Sequence, residues 1–226
     1  MLTLMFRHEA EEAVKFYIST FTPIFGNTKV LKITYYGEEE LAALQEVPEM
    51  TEDIMPGPAG SVKSIRFLLC GQEILAINGG EFFGKFNEST SLYVSCDTQE
   101  QIDLLWMALS HKGSEQVCGW LKDRFGVSWQ IAPAVIQEIM ESPDTEKAQQ
   151  VMIALYRMKK IDLKQILKGR WQVRGPETGS LRASSFDGLL QHVLFCHGAV
   201  LCKRNQVREP HHGNHPAEGN FWQGQC

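Results

Sequence analysis

The sequence predicts an α+β fold built from two βαβββ units, and three observations carry that expectation. A short apolar strand precedes an amphipathic helix near the N-terminus, and the same order returns near residue 91. Alternating segments with turn residues between them follow each helix. The second unit closes on a hairpin, with Trp120 to Lys122 and Val127 to Ile131 as its arms. Between the arms, Asp123-Arg-Phe-Gly126 supplies turn chemistry with glycine last.

Taken in order, Leu2 to Phe6 reads as a strand. Ala10, Ala13, Val14, Tyr17 and Phe21 then fall at i, i+3, i+4, i+7 and i+11, one face of a helix. Val30 to Tyr36, Val62 to Cys70 and Glu73 to Asn78 read as three strands, with Gly71-Gln72 as a tight turn. Ser91 to Cys96 starts the second unit, and Thr98-x-x-Gln101 predicts a capping box for its helix. Ile102, Leu105, Trp106 and Leu109 mark the buried face of that helix. Gly113 to Gln116 leaves little room for the strand that should follow, so the second unit is expected to be abbreviated. A helical segment running to about residue 168 completes the domain.

The stretch Cys118 to Pro133, with its strand–"KDxxG"–strand hairpin, resembles the closing hairpin of the vicinal oxygen chelate superfamily. That superfamily includes glyoxalase I, the extradiol dioxygenases and the bleomycin-resistance proteins. Within it, residues 1–168 look like the PhnB-like group, once labelled demethylubiquinone methyltransferase-like. The resembling pieces are Ala10-Glu-Glu-Ala-Val-Lys-Phe-Tyr17, Asn78-Gly-Gly80, Lys85-Phe-Asn-Glu88, Cys96-Asp-Thr-Gln-Glu100, the hairpin, and Met158-Lys-Lys-Ile-Asp-Leu163. The resemblance implies a curved mixed sheet around a cavity, helices outside, and a homodimer.

It also implies a place for a metal. Glyoxalase-like members chelate a divalent ion with imidazole and carboxylate ligands, two from each repeat. Laid over this chain without gaps, the pattern puts Leu2 and Ser91 at the two histidine positions. The carboxylates fall near Ile74, within about two residues, and on Gln130. Alkyl groups offer nothing to a cation, and Ser and Gln offer neutral oxygens. A divalent metal is therefore disfavoured, and no cofactor is predicted.

What remains is a cavity lined by neutral groups. With Gln130 facing inward, Ser128 and Ala132 share its face, while Trp129 and Ile131 point to the helix side. Asn78 and Ser91, at strand ends, are placed to converge near Gln130, and Trp120 to line the mouth. Amides both donate and accept, so they orient a polar ligand without changing protonation state. The alternative for these polar groups is the satisfaction of buried backbone ends, and for Trp120 simple core packing. Ligand-binding candidates are thus Asn78, Ser91, Trp120, Ser128 and Gln130, with catalytic residues unassigned.

Other features narrow the function. A net charge of −5 disfavours nucleic acid. No apolar run approaches the ~18 residues of a bilayer span, and the first residues have the wrong polarity for a signal peptide. Six cysteines without a CxxC pair suggest reduced thiols and a cytoplasmic protein, with Cys70, Cys96 and Cys118 as buried small hydrophobes. Gly79-Gly-Glu-Phe-Phe-Gly84-Lys85 matches GxxxxGK, but Phe86 stands where Ser or Thr must bind Mg²⁺. There is no glycine-rich strand-to-helix turn for S-adenosylmethionine or a dinucleotide. The segment Gly37 to Gly60 holds seven acidic residues, no basic ones and three prolines. It reads as a lid or as a solvated insertion.

Beyond residue 169 the character changes. Residues 1–169 hold 12 Lys against 4 Arg, whereas 170–226 hold 1 Lys against 5 Arg together with five of the seven histidines. The expectation for 169–226 is a largely disordered or non-native extension, with a helix over Leu189 to Leu201 as the alternative. Its Cys and His residues lack standard zinc spacing. Three functional readings follow: a metal-independent module holding a small molecule, a metal-dependent glyoxalase- or dioxygenase-type enzyme, or a structural or regulatory dimer with a filled cavity.

Overall fold

A computed structural model describes residues 1–82, 84–141, 143, 145–167 and 200–201. The first repeat comprises β1 (Leu2–Phe6), α1 (Ala10–Phe25), β2 (Lys29–Tyr35), β3 (Val62–Leu69) and β4 (Gln72–Asn78), with α2 (Glu38–Gln45) inserted after β2. The second comprises β5 (Leu92–Cys96), α3 (Gln99–Ser110), β6 (Ser114–Glu115), β7 (Trp120–Lys122) and β8 (Ser128–Pro133). Three helices follow: α4 (Val135–Met140), α5 (Thr145–Leu155) and α6 (Leu163–Leu167). A two-residue strand, β9 (Val200–Leu201), lies parallel to β5, so the end of the Leu189–Leu201 stretch is strand rather than helix. The remainder of the tail lies outside the described residues. No helix among the described residues is long and apolar enough to cross a membrane.

The α+β class and the paired units are as expected. The strands, however, divide into two sheets, ordered β1-β4-β3-β2 and β6-β7-β8-β5-β9, with no ladder joining them among the described residues. In each repeat the first strand runs parallel to the last, and the others are antiparallel. The abbreviated strand of the second repeat survives as β6, tied to α3 where Trp106 Nε1 donates to Glu115 at 2.8 Å.

One hydrophobic cluster joins the repeats. The predicted face of α1 (Ala10, Ala13, Val14, Tyr17, Phe21) is buried, as are Ile102, Leu105, Trp106 and Leu109 of α3. Alternate side chains of both sheets pack into the same cluster, among them Phe67, Ile74, Val94 and Ile131. Trp129 stacks on Phe21 with ring centroids 5.3 Å apart. The opposite sheet faces point away from this core because strand side chains alternate. A second cluster forms where Ile136, Ile139, Val151, Leu155 and Ile161 of the C-terminal helical segment meet Ala132, with Tyr93 and Cys118 against it.

Turn chemistry fixes the boundaries. The β3–β4 turn is Cys70-Gly71 rather than Gly71-Gln72, with φ of 51° and 84°. Two left-handed residues suit the twist of a two-residue hairpin. Cys96 and Cys118 are free. At the second helix Thr98 Oγ1 accepts from Gln101 N at 3.3 Å, as the capping box requires. Gln101 reaches back to Asp97 N, one residue before the cap.

Candidate functional site

The closing hairpin owes its shape to Asp123. Its Oδ1 accepts from Phe125 N at 2.9 Å and Val127 N at 3.0 Å, folding the turn. Its Oδ2 accepts from Tyr17 Oη at 2.7 Å and Trp129 Nε1 at 2.9 Å, fastening the turn to α1 and to the core. Burial raises the carboxyl pKa, and the four hydrogen bonds pull against that rise. The Tyr17 phenol is pushed well above its ordinary value by burial and by the neighbouring Asp123. Gly126, at φ 85°, closes the turn.

This hairpin sets out a polar face on the second sheet, turned away from α1 and α3 and bordered by the cluster of the C-terminal helices. Trp120 and Tyr93 are the Cα partners of Gln130 on either side, so the three form one row across β7, β8 and β5. Gln130 Nε2 donates to Ser91 Oγ at 2.7 Å, bringing together two of the predicted residues. Ser128, 1% exposed, directs its hydroxyl to the Asn87 carbonyl at 3.3 Å. Lys122, the Cα partner of Ser128, is paired with Glu88 at 2.7 Å. Glu88 also accepts from Gln116, and these two hydrogen bonds hold its pKa down at about 2.

Asn78 is placed differently. Its Oδ1 accepts from Ala10 N at 2.9 Å and its Nδ2 donates to the Val62 carbonyl at 2.9 Å. It thereby caps α1, whose own N-cap residue Glu9 makes no side-chain cap bond. Asn78 is thus joined to the first repeat rather than to Gln130. The notional metal positions in the first repeat also turn from this face. Leu2 and Ile74 are Cα partners, and both pack with the helix-side core. Among the described residues no group of three or more His, Cys, Asp or Glu could hold a metal ion.

Tyr156 is a residue that sequence patterns did not single out. It packs on the second cluster, as Cys118 and Tyr93 do, and its hydroxyl is buried without a hydrogen-bond partner among the described residues. Burial raises its pKa and, with it, that of the Cys118 thiol to about 11 and that of Tyr93 to about 12. No sequence signal marks Tyr156, because its position depends on how α5 docks.

Two βαβββ units, with the Gln130–Ser91 pair on the second sheet, define a two-repeat α+β protein. The chain belongs to the 3-demethylubiquinone-9 3-methyltransferase family, whose sequence pattern matches residues 1–132. A PhnB protein from Bacillus cereus, carrying the same methyltransferase description, is 32% identical over 59% of this chain and 98% of its own, with a TM-score of 0.48. Protein PA1353 from Pseudomonas aeruginosa is 17% identical, covering 58% of this chain and 93% of its own, with a TM-score of 0.42. A protein from Staphylococcus aureus is 25% identical, covering 58% and 92%, with a TM-score of 0.23. No curated protein matches the sequence.

Proposed function

We propose that residues 1–168 form a metal-independent binding module, acting as a homodimer, that holds a small polar or amphiphilic molecule on the outer face of the second sheet. The observation that carries this reading is the Gln130–Ser91 hydrogen bond. In glyoxalase-type relatives these two positions would supply an anionic oxygen and an imidazole. Here they are an amide and a hydroxyl bonded to each other. Trp120 beside them offers a flat apolar surface, and Lys122 is neutralised by Glu88. A face of that kind orients a ligand by neutral hydrogen bonds and aromatic contact. The buried Tyr156 hydroxyl, near Cys118 and without a hydrogen-bond partner among the described residues, is a further group that a polar ligand would satisfy.

The family description names a methyl transfer, and the reading does not extend to it. The connections entering α1 and α3 are Arg7-His8-Glu9 and Asp97-Thr98. Neither contains the glycines with which a strand-to-helix turn approaches a nucleotide cofactor.

The test uses the full chain, purified without chelator or affinity tag. Expected are a metal content far below one ion per chain and, in a metabolite screen, a ligand that raises Tm in the wild type but not in Gln130→Ala. About one metal per chain, lost on Gln130→Ala, would overturn the reading and place the protein among metal enzymes. Metal retained by Gln130→Ala would belong elsewhere in the chain and leave the ligand screen decisive.

A further inference from the structure

A cleft of about 580 Å³ opens at the end of the first sheet, away from the Gln130 face. Its volume falls within the range of small-molecule sites. One wall is His8 of the β1–α1 turn with Glu11 of the first turn of α1, and the other is the 56–61 stretch that ends the acidic insertion. Tyr35, 58% exposed on β2, and Val62 complete the lining, with Asn78 at the base.

The Glu11 carboxylate and the Pro56 and Asn78 carbonyls place acceptor oxygens around this cleft. Glu11 is the charged residue of the lining, and no lysine or arginine takes part. Lys15, one turn along α1, pairs with Glu11 at 2.6 Å, but its side chain is 73% exposed and such pairs are weak. His8 Nδ1 lies 3.0 Å from the Pro56 carbonyl, so as the donor of that bond it leaves Nε2 to accept in the neutral ring. The Asn78 carbonyl already accepts from Tyr36 Oη at 2.6 Å. Proline rings, Val62 and the Tyr35 ring supply apolar surface between these oxygens.

We propose that this cleft binds a small organic cation, an alkylated ammonium group seated between the Glu11 carboxylate and the Tyr35 ring. A carboxylate neutralises the charge, and the negative face of an aromatic ring attracts the polarised methyl groups. An anion would meet Glu11 with no cation in the lining to answer it. The acidic insertion beside the cleft, 37–60, adds a field of the favourable sign. This site is separate from the one on the second sheet and stands without it.

Choline chloride is the probe and its neutral isostere 3,3-dimethylbutan-1-ol the control, titrated into the full chain at low ionic strength and followed by NMR. Choline should saturate, and the isostere should bind about tenfold more weakly. Tyr35→Ala and Glu11→Gln should each weaken choline by about fivefold, while Tyr35→Phe, which keeps the ring, should retain most of the binding. Gln130→Ala should leave choline binding unchanged, which separates this site from the one on the second sheet. Equal binding of choline and isostere, equal loss in Tyr35→Phe and Tyr35→Ala, or no saturation by roughly 50 mM would overturn the proposal.

Discussion

At the residue scale, the polar face of the second sheet is governed by charge cancellation. Lys122 would make that face cationic, yet Glu88 from the connection between repeats lies 2.7 Å away. The hydrogen bonds from Lys122 first, then from Gln116, lower the Glu88 pKa from 4.5 to about 2. A carboxyl whose folded pKa lies below its unfolded value stabilises the fold above the unfolded pKa. That contribution fades as pH falls through the folded one, so here it is lost between 4.5 and about 2. Both partners are accessible to water, so its value lies in setting the charge of the face more than in stability. A carbon-detected NMR titration of Glu88 should show its midpoint near pH 2, and Lys122→Ala should return it towards 4.5. A wild-type midpoint in the ordinary range, indifferent to Lys122→Ala, would remove the idea that this pair keeps the face neutral.

At the element scale, Asp123 explains why the hairpin was readable and its purpose was not. The alternation of Trp120 to Lys122 and Val127 to Ile131, with glycine closing the turn, reports local geometry, and local geometry is what sequence periodicity encodes. Helices α1 and α3 were legible for the same reason, since their buried residues recur with the helical period. Asp123 looked like turn chemistry alone. Its bonds to Tyr17 and Trp129 span 106 and 6 residues, and no pattern along the chain signals the longer one. Asn78 was misleading in the same way, because the backbone groups it satisfies come from α1 and β3. The acidic segment 37–60, read as a lid or a solvated insertion, contains a helix. It is held down where Gly80, at φ 66°, passes so close to the Ile54 carbonyl that a Cβ would stand 1.9 Å from it.

The Asp123 arrangement makes a sharp prediction about the joint between repeats. Asp123→Asn keeps size and shape but replaces an acceptor oxygen by a donor. The Tyr17 hydroxyl can turn to accept, whereas the Trp129 indole N–H can only donate and is left unpaired in the core. The cost should be about 2 kcal/mol in urea unfolding, because a buried donor loses its partner. Tyr17→Phe, which removes a donor and leaves no orphan on Trp129, should cost less, about 1 kcal/mol. If Asp123→Asn proves as stable as wild type, the carboxylate is not what fastens the hairpin to α1.

At the scale of the whole molecule, the two sheets differ in what lies on their outer faces. Over the second sheet the C-terminal helices bring their own cluster against Ala132, Tyr93 and Cys118. On the first sheet Met5, Leu68, Leu75 and Ile77 alternate with the core residues and are half-buried. None of the described helices makes its main packing contacts there. Apolar side chains on an open sheet face are a cost that a second subunit would relieve. Thr34 and Ser64, hydrogen-bonded to each other at 2.7 Å, keep a polar strip within that face, which suits an interface able to be wetted at its rim. The proposed homodimer is therefore expected to use this face, and light scattering of the full chain should give twice 25.6 kDa. Leu75→Arg, which places a charge on the outer row and leaves Ile74 and Ala76 in the core, should give a folded species of 25.6 kDa. A wild-type monomer would dispose of the homodimer. A Leu75→Arg dimer would move the interface to another surface and leave the open face of the first sheet to some other partner.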